Sequence, residues 1–205
     1  MARSRVIVVA GTPGTGKTRF GKALARKLGI DSINITEFAR QHNLTSSYDQ
    51  MRRTYVVDVR RLTRELEKRL LNLRERVVVE GHYSSSLVPT NIVDVAFVLR
   101  CSPQVLEKRL ARRGYSQAKI RENIEAEVLD VCLSETVATY GIRKVAEIDT
   151  TARRLEDCIQ EAVMIVTRKK PRWVGACDWI VELEREGKLD RFLKERASPW
   201  KRRLQ

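Results

Sequence analysis

A glycine-rich loop carries the clearest chemical pattern in this sequence. It reads Gly11-Thr12-Pro13-Gly14-Thr15-Gly16-Lys17-Thr18 and fits the pattern G-x-x-x-x-G-K-[ST]. An apolar strand pattern precedes the loop and an amphipathic helix pattern follows it, as the motif requires. Its backbone N–H groups and Lys17 are suited to nucleotide phosphates, and the Thr18 hydroxyl is suited to magnesium. The loop therefore predicts binding of ATP with Mg²⁺, with nucleotide contacts from Gly14, Thr15, Gly16, Lys17 and Thr18.

A group of arginines could neutralise further phosphate charge. Arg100, Arg109, Arg112 and Arg113 follow the fourth apolar run and lead into Gly114-Tyr115, which predicts a short arginine-bearing lid. Arg109 and Arg113 are four residues apart and therefore share one helical face. We expect both to converge on the triphosphate, with Arg19 beside the loop. Each of these arginines could instead be a solvated surface residue.

Two further residues follow the third apolar run. Glu80 ends that run, where a carboxylate could hold magnesium, usually through water. His82 comes two residues later, and an imidazole suits the orientation of a water molecule or a γ-phosphate near neutral pH. The alternatives are that Glu80 pairs with an arginine and that His82 is an ordinary polar residue.

The elements that must position these residues alternate between strand and helix. Apolar runs at 6–10, 32–35, 77–80, 93–99 and 144–148 predict strands that are buried on both faces. Helical patterns lie between them and after them: 20–28 ending at Gly29, 62–73, a helix from Pro103 to Gly114, a long helix from Ser116 through Val131, and a helix that Thr151 caps. This alternation predicts an α/β domain with a parallel sheet and helices on both faces.

Composition and missing motifs exclude several classes of protein. With 42% hydrophobic residues, the chain can form a packed core. No apolar stretch reaches 18 residues, so we expect no membrane span. The four cysteines form no metal-binding cluster, which favours a reduced, cytoplasmic protein. The base-reading and switch motifs of G-proteins are absent, which leaves a small phosphotransferase.

The last 38 residues differ in composition from the rest. Residues 168–205 contain 12 basic and 6 acidic residues and all three tryptophans, in a chain with a net charge of +14. We predict a kinase domain over 1–167 and a basic helical extension over 168–205. The extension could bind RNA through its cations and by stacking. Alternatively, it could fold back over the core with Trp173 and Trp179 buried.

These residues, over roughly 5–150, resemble the sixth adenylate kinase isoenzyme family of archaeal and eukaryotic P-loop kinases and ribosome-assembly factors. The likeness rests on the phosphate loop and on 33–40, Tyr48-Asp49, Glu80-Gly81-His82, Arg100, 113–115 and 119–127. It implies a nucleoside-monophosphate-kinase fold with strand order 2-3-1-4-5, an AMP-binding segment near 34–57 and a lid near 112–122. It also implies that Asn34 and Arg40 bind the acceptor, that Arg113 contacts ATP, and that His82 acts in hydrolysis or the conformational cycle. The predicted catalytic residues are Lys17, His82 and Arg113.

Two functions of different classes follow. The first is adenylate kinase activity, in which ATP and AMP give two ADP, with ATPase activity besides. The second is an ATP-driven switch in small-subunit ribosome assembly and rRNA maturation, whose implied partners are a platform protein, the eleventh in the universal naming, and rRNA. Phosphorylation of another small acceptor is a further alternative. We expect a monomer or weak dimer that does not bind membranes.

Overall fold

The computed structural model describes residues 6–49, 54–81 and 84–193. His82 and Trp200 therefore lie outside the described residues. The strands span Val6–Gly11 (β1), Asp31–Asn34 (β2), Thr45–Asp49 (β3), Thr54–Val57 (β4), Val77–Glu80 (β5), Val93–Arg100 (β6) and Val145–Asp149 (β7). The helices span Lys17–Leu28 (α1), Ile35–Gln41 (α2), Val59–Leu71 (α3), Ser84–Leu87 (α4), Pro103–Arg112 (α5), Gln117–Val128 (α6), Val131–Tyr140 (α7), Leu155–Val166 (α8), Trp179–Arg185 (α9) and Leu189–Phe192 (α10).

A five-stranded parallel sheet forms the centre of the molecule, in the order β2-β5-β1-β6-β7. Counted over the five predicted strands, this is the order 2-3-1-4-5, so the predicted fold is confirmed. One face packs against α2, α3, α4 and α7, and the other against α1 and α8. The strand order changes direction at β1, because β5 and β2 lie on one side of it and β6 and β7 on the other. The carboxyl ends of β1, β5 and β6 meet at one edge, where ligands bind in sheets of this kind.

The prediction that every strand is buried on both faces is wrong for β2. Its residues are exposed or half-buried, because β2 is an edge strand whose only sheet neighbour is β5. A second departure is an antiparallel hairpin of β3 and β4, which the sequence analysis did not predict. The hairpin lies between α2 and α3, inside the segment 34–57 predicted to bind AMP, and residues 50–53 of that segment lie outside the description.

Two helix ends differ from those predicted. The long helix from Ser116 is two helices, because Asp130 adopts a left-handed conformation with φ 55° between α6 and α7. Thr151 does not cap α8, since its hydroxyl bonds to Asp149 and the helix begins after Arg154. Helix α2 is capped by Asn34, whose side chain accepts the N–H of Glu37.

The C-terminal extension packs on the kinase domain as far as the structure describes it. The Trp173 carbonyl accepts the backbone N–H of Glu147 on β7 at 2.9 Å. Trp179 is buried, with 4% of its surface exposed, whereas Trp173 is 66% exposed. The fold-back prediction is therefore right for Trp179 and wrong for Trp173. Helices α9 and α10 share a hydrophobic cluster with α5 and α6. Within the described residues, no helix combines the length and hydropathy needed to cross a membrane.

Candidate nucleotide site

The glycine-rich loop connects β1 to α1 and ends at the N-terminus of that helix, where Gly16 lines a cleft. Gly16 is the N-cap residue of α1, and it has no side chain to occupy the free N–H groups of the first turn. That turn carries no acidic residue. The loop is closed internally, because the Thr15 N–H and hydroxyl both donate to the Thr12 carbonyl, at 3.2 and 2.8 Å. This leaves a helix N-terminus suited to a phosphate group.

Lys17 lies across the mouth of the loop. Its ammonium donates to the carbonyls of Gly11 and Thr12, at 2.7 and 3.0 Å. Burial lowers the pKa of Lys17 to about 8, although Cys132 and Glu80 act in the opposite direction, and nearby Arg113 lowers the pKa further. A phosphate at the loop would supply the negative charge that this ammonium lacks.

Glu80 and Thr18 form an oxygen pair beside the lysine. The Thr18 hydroxyl donates to the buried Glu80 carboxylate at 3.3 Å, and the Asn34 amide donates to the other carboxylate oxygen. Neighbouring ligand oxygens of an octahedral Mg²⁺ lie about 3 Å apart, given metal–oxygen distances of about 2.1 Å. The pair therefore fits two positions around Mg²⁺, directly or through water, with phosphate and water oxygens to complete the shell.

A cleft of about 450 Å³ opens on the other side of the loop. It is lined by Thr15, Gly16, Arg19, Phe20, Arg109, Arg112, Arg113, Thr150, Arg153, Leu155 and Cys158. Five of these residues are arginines and none is acidic, so the cleft attracts anions. Arg153 was not among the residues predicted from the sequence. It could have been predicted from its position four residues after the end of β7, at the edge of the sheet where ligands bind.

Arg109 is held in place at this cleft. Its guanidinium donates to the Thr150 carbonyl at 2.6 Å and to the Thr150 hydroxyl at 3.2 Å. The single proton of the Thr150 hydroxyl has two acceptors within reach, the carbonyl of Thr15 in the loop at 3.0 Å and that of Arg100 at 2.8 Å. Arg109 is thus tied to the phosphate loop through one residue, while Arg19, Arg112 and Arg113 are exposed at the rim.

Arg100 does not belong to the arginine-bearing lid, and that part of the prediction is wrong. It is 1% exposed and pairs with the carboxylates of Glu127, Glu147 and Asp130. Burial opposes its charge, but the three carboxylates raise the pKa of Arg100 above its usual range. Arg100 is therefore a structural cation beneath the site. The sequence analysis did not identify its buried partners Glu127 and Glu147.

The comparisons with known proteins agree with this geometry. The AAA domain family matches residues 7–130. A protein of Methanocaldococcus jannaschii named "Putative adenylate kinase" is 39% identical over 173 residues, covering 84% of this chain and 92% of that protein. One of the same name from Pyrococcus abyssi is 37% identical, covering 85% and 91%. This chain belongs to that archaeal adenylate kinase-like family. It is a P-loop kinase-type protein.

Solved structures similar to this adenylate kinase-like chain share its fold. A gluconokinase from Sinorhizobium meliloti has a TM-score of 0.53 at 21% identity, covering 82% of this chain and 95% of its own. A shikimate kinase from Acinetobacter baumannii, in complex with shikimate, has a TM-score of 0.59 at 15% identity, covering 82% and 96%. At these identities the likeness concerns the fold alone.

The remaining predicted residues of this family member are dispersed. Asn34 uses its side-chain oxygen to cap α2 and its amide to orient Glu80. Arg40 is exposed on the last turn of α2, and its guanidinium forms no hydrogen bond or ion pair within the described part of the chain. The predicted role of His82 falls outside the described residues. The structure thus brings together Lys17, Thr18, Glu80 and Asn34 on one side of the loop, and Arg19, Arg109 and Arg113 on the other.

Proposed function

We propose that this protein is an adenylate kinase that transfers the γ-phosphoryl group of Mg-ATP to AMP and forms two ADP. One observation carries the proposal: the Lys17 ammonium and the Thr18–Glu80 oxygen pair lie at the mouth of a phosphate loop that also borders an arginine-lined cleft. The family to which the chain belongs supports it. Catalysis of phosphoryl transfer is mainly positioning and charge neutralisation, which these groups are suited to provide.

Each group has a distinct role in this proposal. The N–H groups of residues 14–18 and Lys17 bind the β- and γ-phosphates, while Arg19, Arg109 and Arg113 bind the donor from the cleft. Thr18 and Glu80 hold Mg²⁺, which supplies further charge neutralisation when bound. Because Arg109 is already tied to the loop through Thr150, it needs little reordering when the donor binds.

The acceptor is assigned to the segment 34–57. Arg40 is exposed on a helix that begins where β2 ends, and no described residue bonds to its guanidinium, which suits the phosphate of AMP. Asn34 borders the same position and fixes Glu80. We assign His82 to the orientation of a water molecule or the γ-phosphate, which also accounts for a slower ATPase activity. Lys17, His82 and Arg113 are the proposed catalytic residues.

The test measures ADP and inorganic phosphate formed from Mg-ATP, with and without AMP. We expect AMP to yield two ADP with little free phosphate. Lys17→Ala is expected to reduce turnover by at least about a hundredfold, because it removes a preorganised electrostatic contact. Lys22→Ala is the matched control, since Lys22 lies on the same helix and forms only an exposed pair with Glu37. Near-full activity of Lys17→Ala would contradict the assignment.

A second function, an ATP-driven step in small-subunit ribosome assembly in the cytoplasm, has support from a different surface. Residues Arg168, Lys169, Lys170 and Arg172 line a cleft of about 480 Å³ with Ile165 and Pro171. The exposed Trp173 ring follows directly and is available for stacking. Cations beside an exposed aromatic ring suit single-stranded rRNA, and the platform protein implied by the sequence is the protein partner of this proposal.

Point substitutions are the appropriate test of this second function. Deleting 168–205 would also remove the buried Trp179. We expect Arg168→Ala with Lys169→Ala to lower the salt slope of single-stranded RNA binding by about 1.4, at about 0.7 for each phosphate contact. ATP turnover should rise with RNA or platform protein. An unchanged slope would remove the basic cleft from the proposal, and turnover that responds only to a different small acceptor would favour a metabolite kinase.

A further inference from the structure

Glu127 is a buried carboxylate that joins the phosphate loop to the end of β6 and to the C-terminal extension. It lies on α6 and is 2% exposed. One carboxylate oxygen accepts the Thr12 hydroxyl at 2.5 Å. The other accepts Arg100 Nε at 2.9 Å, the Cys101 N–H at 3.0 Å and the Trp179 indole N–H at 3.1 Å. A single side chain therefore contacts the loop, the end of β6 and the C-terminal extension.

Thr12 transmits this contact to the phosphate site. Its side chain is buried and directed at α6, while its carbonyl accepts the Lys17 ammonium and both donors of Thr15. A shift of Thr12 would therefore displace the lysine and open the turn that Thr15 closes. Hydrogen bonds to an ionised, buried carboxylate are stronger than neutral ones, which suits a rigid anchor.

The extension is fixed to the same network at two points. Trp179 donates to Glu127, and the Arg100 guanidinium lies 5.8 Å from the centre of its ring. The N–H groups of Gly175 and Ala176 both donate to Glu147, which also pairs with Arg100. The extension thus contacts the residues that hold the loop, although Trp179 is far from the loop in the sequence.

We propose that Glu127 is a positioning residue for the phosphate loop and that Trp179 of the extension completes its hydrogen bonding, so that docking of the extension sets the affinity for Mg-ATP. The inference deepens the proposed function and rests on its ATP site. It assigns to the extension a role in nucleotide binding through Thr12, without any contact between the extension and the nucleotide.

The experiment compares two conservative variants with two matched controls. Thr12→Val removes one hydroxyl at nearly constant shape, and Trp179→Phe removes the indole N–H but keeps an aromatic ring. We expect each to raise the Kd for Mg-ATP by about fivefold to tenfold and to leave the Kd for AMP within twofold. Thr136→Val removes an equally buried hydroxyl whose bond stays within α7. Val181→Ala alters an exposed side chain of α9 in the extension, and both controls should bind like the parent protein.

A double variant tests whether the two groups act through one carboxylate. The effect of Thr12→Val with Trp179→Phe on the Kd should be smaller than the product of the separate effects, because both depend on Glu127. If the effects of the two substitutions on the Kd simply multiply, the proposal that both act through Glu127 is wrong. Equal losses of ATP and AMP binding, together with a lower Tm, would indicate general loosening and would also overturn it.

Hydrogen exchange without nucleotide separates this inference from the proposed function. The Thr15 N–H bonds to the Thr12 carbonyl, and its exchange should become faster in Thr12→Val and Trp179→Phe but not in the controls. Unchanged exchange would overturn the positioning role even if ATP binds. Faster exchange in a protein that fails to bind Mg-ATP would instead refute the proposed function and leave the loop contact established.

Discussion

At the scale of single residues, the protonation of Lys17 is expected to depend on whether a phosphate lies beside its buried ammonium. Its ammonium contacts two carbonyls, and burial lowers its pKa to about 8 from an ordinary 10.5. Under the proposed function, the phosphates of ATP would favour the charged form, so binding would raise the pKa again. Above pH 8 the free protein would then have to take up a proton to bind.

The affinity for Mg-ATP should therefore decrease as the pH rises through 8. At pH 9 about nine-tenths of the free Lys17 is neutral, so we expect the Kd to be up to about tenfold higher than at pH 7. Calorimetry in buffers of different ionisation enthalpy should detect uptake of about one proton at pH 9. Lys17→Arg is the control, because arginine stays charged. A Kd that is constant from pH 7 to 9 in the parent protein would contradict the lowered pKa.

Glu80 supports a second prediction at this scale. Glu80→Gln keeps the size of the side chain and its contact with Asn34 but removes the negative charge beside Thr18. We expect the Mg²⁺ concentration for half-maximal activity to rise at least about tenfold. Glu65→Gln, which alters an exposed pair with Lys68, should leave it unchanged. An unaltered Mg²⁺ requirement in Glu80→Gln would remove Glu80 from the metal site.

The sequence identifies some residues and conceals others for a physical reason. Lys17 and Thr18 belong to a pattern whose spacing follows from phosphate geometry, so their neighbourhood is predictable. Glu127 lies on a helix of mixed composition, where an acidic residue indicates a solvated face, and no pattern in the sequence assigns a cation to Glu147 in the last strand. Only the tertiary structure brings Arg100 between them. An arginine predicted in a lid is consequently found in the core.

At the scale of the elements, the phosphate loop and α5 approach each other closely at Gly14. Gly14 has φ 96°, and a Cβ there would lie 2.7 Å from Leu106 Cδ1 and 3.0 Å from Leu110 Cδ2 on α5. The phosphate loop therefore packs directly on the helix that carries Arg109. A side chain at this position would push the loop and α5 apart.

Gly14→Ala should weaken Mg-ATP binding by tenfold or more, because it combines a strained backbone with a clash. Gly29→Ala is the matched control: Gly29 also has a positive φ, 66° at the end of α1, but nothing lies within 4 Å of its Cβ position. We expect that control to lose about 1 kcal/mol of stability and to keep its affinity. Similar binding by both variants, measured by calorimetry, would show that the contact with α5 does not matter.

Element boundaries were predictable where glycine, proline or serine marks them. Gly29 ends α1, Pro103 begins α5 and Ser116 caps α6 as expected. The break at Asp130 was not predictable, because the apolar spacing continues through Val131 without a glycine or proline. Asp130 adopts the left-handed conformation while its carboxylate pairs with Arg100, so tertiary contact decides the break.

At the scale of the whole molecule, the extension stabilises the domain on which it packs. Trp179, Leu183 and Phe192 are buried against α5 and α6, and Arg191 pairs with Glu107 at 2.6 Å. Burial of three large side chains contributes about 5 kcal/mol or more, which is comparable to the entire stability of many domains. The boundary at 168 is thus a change of composition within one packed structure.

Truncation after residue 172 should lower the Tm by about 10 °C or more, or abolish cooperative unfolding. Truncation after residue 193 is the control, since it leaves every contact described above in place, and it should change the Tm by no more than a few degrees. Circular dichroism on heating measures both. A Tm that is unaffected by the shorter chain would mean that the extension contributes no stability.

The ionic cluster around Arg100 also has an evolutionary consequence. Replacing Arg100 alone leaves the buried carboxylates of Glu127 and Glu147 without their cation, at a cost of about 3–5 kcal/mol. Replacing either glutamate alone removes the acceptor of several N–H groups, so single substitutions at 100, 127 or 147 should be selected against. Amino-acid substitution at one of these positions then requires a compensating substitution at another. Among relatives, we expect positions 100, 127 and 147 to covary, with the ionic set either kept whole or replaced together by apolar residues.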